Sequence, residues 1–228
     1  RAIDQLYLNS ATKGSTQSRV VLYIEPGTYL IDRTIYLPPY ATIIGAGVDK
    51  TIVRSSSSEP LFQTVNDTSV PGAPADDSTS SLNNQARNIH IQGLTLETTA
   101  MSGKALILQS CRNSLFKDIK IQGTWTIGDT IPTDYSSDIG VELNSLSSTV
   151  KTADNLFENI IITGWGYGTM SNWDIDQNRW VGCRFETLGQ GFAFGVDMVI
   201  GINGSLIGPS RNSITDSVFY NIQQHGVW

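Results

Sequence analysis

Several charged side chains sit at spacings that suit acid–base chemistry. Asp174 and Asp176 in NWDIDQN alternate around Ile175, a period that puts both carboxylates on one outward strand face. Glu158, Glu186 and Arg179 are placed to join them from adjacent turns of a coiled chain. Acid-catalysed cleavage of a glycosidic bond needs two carboxyl groups about 5–9.5 Å apart across one groove. An alternating acid pair is more often a solvated strand face, so these five are expected to act only if they converge.

A second set is aromatic. Trp125 in GTWTIG, Trp165 and Tyr167 in GWGYG, and Trp173 are flanked by glycine and polar residues instead of alternating apolar ones. Exposed aromatic faces pack on sugar rings and anchor protein interfaces. The competing reading folds these rings back as plugs at the ends of the core. His90 and His225 lie outside any metal-ligand spacing, so neither a metal nor another cofactor is expected. His90, between Ile89 and Ile91, is expected to point outward into solvent. Cys111 and Cys183 are too few for a disulfide framework and read as small buried residues.

These residues are positioned by a repeat. NSLFKDIKIQG (113–123) has an apolar anchor, Phe116, a bend residue two places on, Asp118, and an apolar position at Ile121. The frame recurs at anchors Ile91, Phe157, Trp180 and Ile214, spaced 25, 41, 23 and 34 residues apart along the series. Its bend column is Gly93, Asp118, Asn159, Gly182 and Asp216, the residue types that enter the left-handed region most cheaply. Strand, sharp corner, strand at a repeating phase indicates stacked coils that share one core. The expected fold is therefore all-β, a single-stranded right-handed parallel β-helix.

Rival repeats fit less well. A leucine-rich repeat needs leucine at fixed offsets, a hexapeptide helix needs a strict period of six, and a sandwich would not hold one bend column in phase. The anchors and the column Leu96, Ile121, Ile162, Phe185 and Phe219 are expected to stack inward.

Composition narrows function. The 228 residues carry a net charge of −6 with no Lys/Arg cluster, which argues against nucleic acid as a partner. No apolar run approaches the roughly 18 residues that span a bilayer, and no signal peptide is visible. The chain starts at Arg1 and ends at Trp228 inside an apparent strand, which suggests excision from a longer polypeptide. Residues 1–19 are expected to form a capping helix and link, with Ile3, Leu6 and Tyr7 at helical spacing. Residues 20–228 form the solenoid, probed by a polar excursion at 63–87 whose composition suits disorder or a subunit contact equally. The GAG at 45–47 lacks the Lys-Ser/Thr of a phosphate loop and reads as a corner.

The opening EPGTYLI, then PPYATIIGAG and KTIV, resembles the start of the pectate-lyase-like superfamily, with its PxGxY corner and GxG turn. The resemblance implies the β-helix but no single activity, because lyases, hydrolases, epimerases and phage tailspikes share it. The polygalacturonase NxD, DD, GHG and RxK motifs have no counterpart here, QHG at 224–226 being the nearest. The Ser/Thr/Asn-rich texture is most similar to phage virion proteins. That implies a virion location, with host surface polysaccharide or other virion subunits as partners. It also implies homotrimers, packed through lateral faces such as Ile161 and Val218. The alternative is a secreted lyase or hydrolase of acidic polysaccharide.

Overall fold

The computed structural model describes residues 4–6, 20–133, 135–171, 174–193, 199–200, 206–207 and 209–228. The first coil is β1 (Val21–Ile24), β2 (Gly27–Ile31) and β3 (Ile35–Leu37). The second is β4 (Thr42–Gly45), β5 (Thr51–Ser55) and β6 (Phe62–Thr64). In the third, β7 (His90–Thr98) runs through a corner and is followed by β8 (Lys104–Gln109). The fourth holds β9 (Leu115–Gln122) and β10 (Ile139–Asn144), and the fifth β11 (Leu156–Glu158) and β12 (Ile161–Ser171). The sixth is β13 (Arg179–Val181) and β14 (Arg184–Ala193). Between it and the last coil, β15 (Val199–Ile200) and β16 (Leu206–Ile207) pair antiparallel. The seventh is β17 (Ser213–Thr215) and β18 (Val218–Ile222).

Every pairing between coils is parallel, and the strands join into one sixteen-stranded sheet that curls through three faces. This is the β-helix expected from the repeat. The register aligns the anchors in one ladder, Ile43, Ile91, Phe116, Phe157, Trp180 and Ile214. Val53, Leu96, Ile121, Ile162, Phe185 and Phe219 align in the second. Rings from successive coils lie flat on each other: Phe116 on Phe157 at 5.0 Å, Phe157 on Trp180 at 4.6 Å, and Phe185 on Phe219 at 4.6 Å. Offset stacking of this kind adds to the area buried.

The bend column is in line as well. Gly93, Asp118, Asn159, Gly182 and Asp216 all have positive φ, between 50° and 70°. Asn159 Nδ2 donates to Asp118 Oδ1 at 3.1 Å, and a Cβ on Gly182 would meet Asn159 Oδ1 at 2.8 Å.

A second left-handed column precedes the first and was not visible in the residue types. Tyr40, Asn88, Asn113, Asp154, Gln177 and Arg211, each three residues before an anchor, have φ between 50° and 67°. Beside it runs a buried polar ladder. Asn155 Nδ2 donates to Asn178 Oδ1 at 2.9 Å, and Asn178 Nδ2 to Asn212 Oδ1 at 3.1 Å. The same amides reach backbone carbonyls of Cys111, Thr152 and Ile175. Each of these corner carbonyls also accepts a backbone N–H from the next coil, and the asparagine amide adds a second donor to it.

Three sequence expectations change in detail. Of the expected cap helix, residues 4–6 form one 3₁₀ turn with Leu6 buried in the core, while Ile3 and Tyr7 lie outside the described residues. The polar excursion begins after Thr64, since Gln63 and Thr64 belong to β6. It is organised around the buried Asn66, whose amide donates to Asp76 O, Thr79 Oγ1 and Ser80 Oγ. His90 is half-buried instead of solvated, because it sits between coils at the start of β7. Cys111 and Cys183 are free and buried, and burial pushes the Cys111 thiol up to about 12.

Candidate functional site

The acids singled out in the sequence do not meet in one groove. Asp174 and Asp176 do flank the buried Ile175, but both are largely buried and neutralised. Lys151 Nζ lies 3.2 Å from Asp174 Oδ1 and 3.7 Å from Asp176 Oδ2. Arg211 holds both oxygens of Asp176, through Nε at 2.9 Å and through a second nitrogen, and Ser210 adds a hydrogen bond at 3.0 Å. Burial pushes the Asp176 carboxyl up, but Arg211, Ser210 and Lys151 outweigh it and hold the pKa below the usual carboxylate value. A carboxylate held ionised in this way is a poor proton donor.

Glu158 lies on the first face, paired with Lys117 of the coil before at 2.7 Å. Glu186 lies on the second face, past the Gly182 corner, paired with Arg184 at 2.9 Å. Arg179 is exposed at the start of β13. The solenoid spreads these residues over two faces and a corner.

Among the described residues the aromatic set is mostly interior. Trp165 is fully buried, with Nε1 donating to Ile121 O at 3.2 Å, and Tyr167 and Trp125 are nearly so. Trp165 and Tyr167 present no ring to solvent, whereas Trp125, 5% exposed, lines a cleft at the strap. Trp173 falls outside the described residues. The cause is the loop after β9, whose described residues, 123–133 and 135–138, lie as a strap across the third face. Trp125 and Ile131 from the strap join Ile139, Tyr167, Met170 and Ala193 in a second hydrophobic cluster. The glycines of GWGYG and LGQG admit the strap: a Cβ on Gly189 would stand 2.5 Å from Ile131 Cγ1, and one on Gly166 2.9 Å from Pro132 Cδ. The strap is fastened to the seventh coil where Gly128 N donates to Gln223 Oε1 at 2.7 Å. Tyr167 Oη donates to Pro132 O, and Tyr135 stacks on Trp228 with ring centres 6.1 Å apart.

At the strap's end sits a group that sequence reasoning missed. Asp138 is buried, with φ of 56°, and its Oδ2 accepts from Gly166 N at 2.9 Å. Burial, reinforced by the nearby charge of Asp129 and opposed by the Gly166 N–H, raises its pKa to about 6. Asp138 and Asp129 line a cleft of about 390 Å³ between the strap and the turn at Met101 and Ser102. The sequence signal was slight, a polar-aromatic loop between two copies of the frame. Other concavities lie along the first coil, one of about 370 Å³ lined by Leu22, Ile24, Ile43 and Phe62, where the core opens at its end.

Among the described residues no group of three or more His, Cys, Asp or Glu is arranged to hold a metal ion. No helix among them is long and apolar enough to cross a membrane.

Three parallel faces, left-handed corners in register and a continuous interior column define a β-helix protein of the pectate-lyase-like kind. Over residues 1–198 the chain matches the family described as rhamnogalacturonase A/epimerase, pectate lyase-like, and it belongs to that family. Among solved structures it is similar to the N-terminal fragment of bacteriophage phi29 gene product 12, with a TM-score of 0.56 and 14% identity over 91% of this chain and 38% of that one. It is also similar to ORF18 of Geobacillus virus E2, with a TM-score of 0.51 and 14% identity over 89% of this chain and 40% of the other. The pre-mature phi29 gene product 12 gives a TM-score of 0.52 at 14% identity, covering 88% and 29%. At such identity the likeness establishes a shared fold, and this chain spans well under half of each of those proteins. No curated protein sequence matches it.

Proposed function

We propose that the chain is a structural segment of a phage virion protein, a rigid solenoid that holds its lateral surface toward host glycan or neighbouring subunits. The observation that carries this reading is that Glu158, Glu186 and the Asp174/Asp176 pair lie apart from one another, each neutralised by cations, with Lys151 shared by the two aspartates. Faces so neutralised serve packing and recognition better than bond cleavage. The fold likeness to two phage proteins suggests the setting, and the family alone leaves it open. In this reading the turn at residues 4–6, with Leu6 in the core, caps the shaft.

Self-association as a trimer belongs to the same proposal, but not through the Ile161 and Val218 face. The column there runs Lys120, Ile161, Arg184, Val218, so two cations interrupt it. The test is to raise an antibody to the chain and label particles purified from cells that express the polypeptide carrying it. Labelled particles with a fixed copy number per particle are expected. Recovery only in the particle-free fraction would refute a virion role. Release of reducing ends from a polysaccharide panel, lost in Asp174→Asn, would favour the hydrolase alternative.

A further inference from the structure

We propose that the cleft beneath the strap binds an uncharged sugar ring. This rests on the glycan-facing branch of the reading above and adds to it a position and a ligand class. Position follows from the strap. It is pinned to the fifth coil by Asp138 and Tyr167 and to the seventh by Gln223, so the cleft wall is held by side chains of a rigid stack. The volume of about 390 Å³ is within the roughly 300–1,000 Å³ usual for small-ligand sites.

Ligand class follows from the lining. No Lys, Arg or His lines the cleft, while two carboxyl groups do. Each acid spends one oxygen on its own loop: Asp138 Oδ2 on Gly166 N, and Asp129 Oδ2 on the Thr126 amide and hydroxyl at 2.7 and 3.0 Å. Their Oδ1 atoms have no hydrogen-bond partner among the described residues, which leaves two acceptors for ligand hydroxyls. Ser102, Thr130 and Ser137 add groups that both donate and accept. Trp125 and Met101 supply an apolar wall for the C–H face of a ring. A uronate or phosphorylated sugar would bring a like charge against Asp129, which is a penalty that a neutral ring escapes.

The test is titration calorimetry of the chain at pH 7 with neutral hexaoses of glucose, galactose and mannose, and with hexagalacturonate. At least one neutral hexaose is expected to bind about tenfold or more tightly than hexagalacturonate. Ser102→Trp, at an exposed position on the cleft rim, and Asp129→Asn should each weaken it about tenfold. Thr215→Ala on the first face is the control and should change nothing. Equal or tighter binding of hexagalacturonate overturns the charge argument. Neutral binding indifferent to both cleft variants overturns the position and leaves the glycan-facing reading standing. No binding by any hexaose overturns the proposal, while particle labelling still decides the virion role separately.

Discussion

At the scale of single residues, the chain uses charge in two opposite ways. Asp176 is buried among cations and stays ionised, whereas Asp138 is buried beside another acid and holds its proton to about pH 6. The signs differ accordingly. A depressed carboxyl contributes stability that is present above its ordinary pKa and lost as pH falls through the folded value. The raised Asp138 contributes stability that is complete below the unfolded value near 3.8 and lost as pH rises through about 6. Asp138→Asn keeps an acceptor for Gly166 N–H and removes the titration. Melting temperature measured from pH 4 to 8 should therefore fall less for the variant than for the parent, the gap opening around pH 6. Parallel curves would show that Asp138 does not titrate there.

At the scale of elements, a coil is held by its inward anchor and by what lies over its faces. Phe157 is sandwiched between Phe116 and Trp180. Phe157→Ala should cost about 3–5 kcal/mol, through lost contact and the cavity left behind, read from denaturant melts. The strap behaves differently, because it lies on glycines. Gly189→Ala puts a methyl 2.5 Å from Ile131 Cγ1 and 2.6 Å from Gly166 O. Overpacking there should cost about 1–3 kcal/mol. It should also lift the strap, so that limited proteolysis cuts within 123–138 faster than in the parent. An unchanged cleavage pattern would mean that the strap accommodates the methyl.

At the scale of the molecule, the strands of each coil pair only with those above and below, so that, apart from the links the strap makes to the sixth and seventh coils, stability is close to a sum of nearest-neighbour terms. The middle coils have neighbours on both sides and the longest ring stack. Hydrogen exchange is expected to be slowest in β9, β11, β12 and β13 and faster in β1, β2 and β18. In Phe157→Ala the loss of protection should spread to the fourth and sixth coils before the second. Uniform exchange along the axis would contradict nearest-neighbour coupling.

The sequence by itself determined the corners and the inward columns. Positive φ restricts residue type at Gly93, Asp118, Asn159, Gly182 and Asp216, and alternation of apolar residues is written locally. The asparagines two places before Phe157, Trp180 and Ile214 carried a similar signal that was there to be read. Other features were decided only in three dimensions. The second corner column tolerates Tyr40, Gln177 and Arg211, so no residue type announces it. Whether Trp165 is a lure for sugars or a core ring depends on a strap about thirty residues upstream. Whether Asp174 can act depends on Lys151, one coil away. Burial and charge pairing are properties of neighbours across coils, and the stacking of those coils brings such neighbours together.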